Sequence, residues 1–265
     1  MTDATGTSTD PVLVAVSHGT ADPAGQARIA ALAEAVDRRT SAEVRLGHVD
    51  VQSPRAGEVL AGLPEGRPAV VVPLLLSAGY HVRVDLAQAA AGRSPVADTM
   101  GPDDRLVDLL ALRAREAGFL RGHHRLVLGA AGSTDAGAVA DCRTVAGRLA
   151  RRLGTPVSDA YLSAAHPRVG AAVAALAGST VPSTVPSTGR PVIVVSYLLA
   201  PGHFQSLLAT EAARAGAVAT TEPLLGASGP VPAELADLVV ERFGDTVEGC
   251  SIPGTTARSP IASPC

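Results

Sequence analysis

The chain has 265 residues, 46% of them hydrophobic and 18% charged, with a formal net charge of -3, which allows one large domain or two of about 120 residues. No apolar stretch reaches the roughly 18 residues of a membrane-spanning helix, and the polar N-terminus is unlike a secretory or transit signal, so a cytoplasmic protein with no membrane partner is expected. The absence of basic excess, of Trp and of more than 2% aromatics argues against nucleic acid as a partner.

Residues 1–10 read as a disordered lead. Val12 to Val16 is apolar without polar alternation, as in a strand covered on both faces, and it ends in Ser17-His18-Gly19-Thr20. A helix follows, with Asp22 as N-cap, Pro23 at its first position, and Ile29, Leu32, Ala33 and Val36 at helical spacing. Val44 to Val51 is expected as strand two, and a short helix runs from Pro54 to near Leu63. Val70 to Leu76 is strand three, after which Ser77-Ala78-Gly79 breaks the run and presents Tyr80 and His81. Pro95 to Met100 is a short strand or loop, and Arg105 to Glu116 is a helix closing the first half.

The pattern restarts at Arg125. Pro54-Arg55 and Gly57 match Pro167-Arg168 and Gly170; beyond a loop inserted at 181–188, Arg67-Pro68 matches Arg190-Pro191 and Gly79 matches Gly202. Strands alternating with helices imply parallel sheets built from βαβ units. The expected fold is therefore α/β: two similar doubly wound parallel-sheet domains related by an internal repeat, 11–120 and 125–244, with a cleft between them. Residues 245–265 are expected to be a flexible tail.

Two strands thus end near a histidine, and open α/β sheets place ligand crevices at the carboxyl ends of their strands. His18 precedes a helix, whose N-terminal partial charge favours neutral imidazole. In that form it binds a divalent metal or accepts a proton; capping the turn is the alternative role. Aligning Val16 with Ala130 sets Gly132 opposite His18. An ungapped match at Gly79 sets His203 opposite Tyr80 and Phe204 opposite His81, whereas a one-residue gap pairs the two histidines. A single active site held mostly by the first half follows. His48 reads as a packed core or rim histidine and His123 and His124 as solvated linker residues, while His166, opposite Ser53 at the strand-two end of the second half, is a minor candidate to face the crevice. Asp85 either orients an imidazole or caps the next helix. Arg28, Arg55 and Arg168 are available to carboxylates of an anionic ligand.

Every basic residue other than histidine is arginine, which removes P-loop, Schiff-base and general-base lysines together. Cys142, Cys250 and Cys265 are too scattered for a disulfide framework or a Cys-x-x-Cys site.

Ser17-His18-Gly19-Thr20, Gln52-Ser53-Pro54 and Pro73-Leu-Leu-Leu-Ser-Ala-Gly79-Tyr-His81-Val-Arg-Val-Asp85 together resemble the sirohydrochlorin and anaerobic-cobalt chelatases, the class II tetrapyrrole chelatases. The resemblance covers about 12 to 243. It implies a chelatase (a lyase) that inserts Fe2+ or Co2+ into sirohydrochlorin for sirohaem or cobalamin synthesis. The metal is then a substrate, with no permanently bound cofactor. It further implies that His18 and His81 contact the metal or the reacting pyrrole nitrogens. Ser17, Gly19, Leu76, Ser77, Ala78, Gly79, Tyr80, Arg83 and His203 are expected to line the tetrapyrrole site, with Leu74–Leu76 and Tyr80 as its apolar floor. Iron is favoured where sirohaem serves sulfite or nitrite reduction, and two fused halves suit a monomer. A histidine phosphatase is the rival enzyme class, but it wants an Arg before its histidine and this chain has Ser17. A non-catalytic tetrapyrrole or metal carrier is the third reading.

Overall fold

The computed structural model describes residues 10–77, 79–90, 92, 94–178 and 189–250; the side chains of Tyr80, His81, Val82, Arg83 and Asp85 also lie outside the described set. The first half runs β1 (Val12–Ser17), α1 (Pro23–Asp37), β2 (Val44–His48), α2 (Ala56–Ala61), β3 (Ala69–Pro73), α3 (Tyr80–Ala90) and α4 (Asp104–Glu116). The second runs β4 (Arg125–Ala130), α5 (Ala136–Leu153), β5 (Val157–Tyr161), α6 (Val169–Ala177), β6 (Val192–Tyr197), α7 (His203–Arg214), β7 (Ala219–Thr220) and α8 (Ala233–Gly249). All pairings between these strands are parallel, in the orders β2-β1-β3 and β5-β4-β6-β7. A single bridge from Val71 to Val96 extends the first sheet, so the segment expected as a short strand or loop is a strand remnant. No helix of the described residues is long and apolar enough to cross a membrane.

Both faces of each sheet are covered, as the uninterrupted apolar runs of β1, β3 and β6 require. Strand side chains alternate between faces. Leu13, Ala15, Val70 and Val72 therefore enter one apolar cluster, and Val12, Val14, Val16 and Val71 another. In the second sheet Leu126, Leu128, Ile193 and Val195 join the same cluster as Leu13, while Val127, Val192 and Val194 form a third. The two sheets therefore share one core. Its filling comes from a central layer of α1, α4, α5 and α8, through residues such as Leu32, Leu110, Leu149 and Leu238.

The central layer crosses between halves. Helix α4, expected to close the first half, packs on α5 and β6 of the second, and α8 returns to pack on α1 and β3 of the first. Helix α8 also continues to Gly249, into the span expected as tail. Leu235, Val239, Phe243 and Val247 recur at four-residue spacing along it and face the shared core, so the period carries the helix past 245. The rest of that span, 251–265, lies outside the described residues, as do most of the lead and the inserted loop at 181–188.

Charged groups fasten the same layer. Asp103 caps α4, accepting from the Arg105 N–H at 2.9 Å, and its other oxygen receives the Arg105 and Arg242 guanidiniums. Arg105 also reaches Glu241 of α8 at 2.8 Å. The Arg105 hydrogen bond is the main reason the Asp103 carboxyl is held below its ordinary range, with burial opposing it. A carboxylate with a depressed folded pKa adds stability above its unfolded value, near 3.8 here, and loses it as pH falls through the folded value. Asp103→Asn is therefore expected to cost about 1–2 kcal/mol at neutral pH. Urea melts at several pH values check this; the deficit against wild type should shrink below about pH 4.

Candidate active site

The site is built from loops that leave the carboxyl ends of adjacent strands. In the order β2-β1-β3 the chain passes from β1 to one side and later to the other, so the space above β1 and β3 is a topological switch point. His18 is the residue immediately after β1, and His81 is the second residue of α3, reached by a short loop from β3. Both segments therefore start from one sheet edge. The His18 side chain is exposed; the His81 imidazole lies outside the described side chains, so only its place in the first helical turn is given.

The β1–α1 loop is fixed by its backbone. Gly19 has φ +92°, and a Cβ there would run into the Asp50 carbonyl oxygen. The Asp50 N–H donates to the His18 carbonyl at 3.0 Å, and the Thr20 N–H donates to the Gln52 side chain at 2.8 Å. Beneath the loop, Ser17 and His48 are 3% and 4% exposed and meet at 2.8 Å through Oγ and Nδ1, while the Gly19 N–H donates to the same Oγ. Burial lowers the His48 pKa, so the ring is held neutral. Asp22 then caps α1 through the Ala24 and Gly25 N–H groups, with Pro23 at the first position, as the sequence suggests.

Several expected contacts are not made. Ser17 braces the loop from inside and has no free face for substrate. Leu74 and Leu76 are buried in the shared core and Leu75 packs on the outer cluster, so they form no cleft floor; the Leu76 carbonyl accepts instead from the Tyr197 hydroxyl at 3.2 Å. Asp85 lies inside α3, which excludes a cap on a following helix. Arg28 is buried and donates to the carbonyls of Leu225 and Gly229, so it is not available to a ligand carboxylate. Arg55 pairs with Asp50 at 2.9 Å. Ser77 and Gly79 sit half-buried in the β3–α3 loop, with Tyr80 and Arg83 following on the first turn of α3; Ala78 lies outside the described residues.

The second half supplies the opposite wall. Gly79 packs on Ser133, where an added Cβ would come within 2.7 Å of the hydroxyl, and Gly202 packs on Thr20 and Asp22. Gly25 lies under the Pro201 carbonyl oxygen, 2.6 Å from where its Cβ would be. These contacts are reciprocal: the β3–α3 loop meets the β4–α5 loop, and the β6–α7 loop meets the β1–α1 loop. The carboxyl ends of the two sheets therefore face each other. His203 and Phe204 head α7 at this junction, both exposed, with ring centroids 5.7 Å apart. His166 is exposed at the equivalent of the β2 end, beside its cis bond to Pro167, and His123 and His124 lie in the linker. Among the described residues, a cavity of about 350 Å³ lies between β2, α2 and α3, touching His48, and one of about 440 Å³ lies beside Arg148 and Arg152.

The structure also corrects the pairing of the halves. Gly132 has φ +93° and faces the Ser163 carbonyl just as Gly19 faces that of Asp50. Gly132 is thus the counterpart of Gly19, and Ala131, not Gly132, stands opposite His18. Backbone conformation, which tolerates positive φ mainly at Gly, sets this register over side-chain likeness. Helices α3 and α7 begin at Tyr80 and His203, so the ungapped match holds and Phe204 stands opposite His81.

Nothing in the sequence singles out Asp50, yet its carboxylate belongs to this site. It is held below the ordinary range by the Val51 N–H first and the Arg55 guanidinium next. It is an oxygen donor that divalent metals accept beside imidazole. The available clue is its place just past a strand adjoining β1, where the second half has Ser163.

Residues 12–117 match the CbiX family model. Comparison with curated proteins gives no match. Among solved structures, SirB from Bacillus subtilis with Fe3+ is similar at a TM-score of 0.72 and 19% identity, over 91% of this chain and 98% of that one. The sirohydrochlorin chelatase SirB from Bacillus subtilis subspecies spizizenii in complex with cobalt gives 0.64 at 18%, over 91% and 97%. CbiX, titled the terminal enzyme for biosynthesis of siroheme in denitrifying bacteria, gives 0.60 at 23%, over 88% and 99%. At these identities the likeness establishes the two-sheet chelatase-like fold, and the segment that matches the CbiX model is the one that contains His18 and His81.

Proposed function

We propose that the protein inserts a divalent metal, Fe2+ in preference to Co2+, into sirohydrochlorin at the junction of the two sheets. The observation that carries this is the start of both histidine segments from adjacent strand ends, opposite loops of the other half. Of the similar folds, SirB from Bacillus subtilis is seen with Fe3+, the sirohydrochlorin chelatase SirB of subspecies spizizenii is in complex with cobalt, and CbiX serves siroheme biosynthesis.

Insertion requires stripping water from the ion and removing two pyrrole N–H protons. His18 and His81 are the groups assigned to this: neutral imidazole ligates borderline metals and takes up protons near neutral pH. Asp50 offsets the positive charge that accumulates beside His18 as the ion arrives. The Ser17–His48 pair holds the His18 loop against the sheet, and Gly19 lets it turn under Asp50. One chain supplies both walls, so a monomer suffices.

Anaerobic mixing of the protein with sirohydrochlorin and either metal tests the proposal through the change in macrocycle absorbance. Multiple turnovers with both metals, faster with Fe2+, are expected. No turnover with either would overturn the reading, and a single stoichiometric uptake would indicate a carrier.

A further inference from the structure

We propose that the second half is a ring-holding wall, with Phe204 as the platform for one face of the macrocycle. This rests on the chelatase reading and adds the surface that binds the organic substrate. The chain has only three Phe, three Tyr and no Trp. Phe119 and Phe243 are buried in the shared core, as expected of so apolar a side chain. Phe204 is 44% exposed on the first turn of α7, and its ring meets that of His203 edge-on at 71°. A lone exposed Phe is unremarkable in general; its position here is not general.

Gly202, two residues before Phe204, packs against Thr20 and Asp22, so the aromatic pair adjoins the loop that carries His18. The repeat sets Phe204 where the first half has His81, Ala131 where it has His18, and Ser163 where it has Asp50. Three chemically active groups are thus replaced by an aromatic ring, a methyl group and a hydroxyl, while the glycine turn beside them is kept, at φ +92° for Gly19 and +93° for Gly132. A symmetric pair of metal-handling walls would present imidazoles to both faces of a flat ring. The observed pairing gives one wall for metal and protons and one for the apolar face. Tilted at 71° to His203 and 44% exposed, the Phe204 ring keeps surface for offset stacking on a conjugated macrocycle.

The test separates binding from chemistry. Sirohydrochlorin affinity is read by its fluorescence in the absence of metal, and insertion by absorbance, for wild type, Phe204→Ala and Phe204→Tyr. Phe204→Ala is expected to weaken metal-free binding and raise KM for the macrocycle about five- to tenfold, with kcat changed less than twofold and Co2+ affinity unchanged. Phe204→Tyr should restore affinity. Circular dichroism melts confirm folding, which an exposed side chain should not alter. Wild-type affinity in Phe204→Ala, or a fall in kcat or Co2+ affinity in its place, would overturn the inference while leaving the chelatase reading standing. A wild-type protein that binds the ring but inserts no metal would instead defeat the chelatase reading.

Discussion

Replacing His18 by Ala is expected to reduce metal insertion by about 10²- to 10⁴-fold, the range for loss of a positioned proton acceptor or metal-handling group. The side chain is exposed and joins none of the apolar clusters, so stability should move by less than about 0.5 kcal/mol. The loss is thus chemical. The control is built into the chain: its counterpart is Ala131 on the same loop backbone, so an alanine after the strand is already tolerated by this scaffold. Initial rates with Fe2+ and with Co2+, beside a urea melt, check both halves of the statement. An unchanged rate would remove His18 from the mechanism.

Gly19→Ala should have the other large effect, on folding as well as activity. At φ +92° a side chain is strained wherever it sits, and here its first carbon would meet the Asp50 carbonyl. That oxygen belongs to the segment whose N–H holds the His18 carbonyl, so it cannot withdraw without releasing the histidine loop. A cost of at least about 3 kcal/mol is expected from strain and overlap together. Gly132→Ala should destabilise comparably, since it meets the Ser163 carbonyl in the same way. A thermal midpoint within two degrees of wild type for either variant would contradict the geometry.

How far the sequence discloses all this depends on the kind of signal. Strands such as Val12–Ser17 and Val192–Tyr197 are uninterrupted apolar runs, and Asp22-Pro23 is a capping signature, so the parallel α/β fold and the opening of α1 are legible. The exchange of α4 and α8 between halves is not. An amphipathic helix shows that it has an apolar face, but not which sheet that face will cover. The same limit makes Leu74 and Leu76 look like a cleft floor: apolar character is visible and direction is not. Ser17 and His48 are 31 residues apart, and it is the pairing of β1 with β2 that brings their side chains into hydrogen-bond reach. Asp50 carries no local pattern. The histidines stand out because each lies between the end of an apolar strand and the body of the next helix, His18 directly after β1 and His81 in the first turn of α3, which is a local pattern with chemical meaning.

The central claim is that imidazoles 18 and 81 serve one metal ion. X-ray absorption spectroscopy of the Co2+-loaded protein tests it most directly, by counting imidazole ligands in wild type, His18→Ala and His81→Ala. Two are expected in the wild type and one in each variant. An unchanged count in either variant would contradict it.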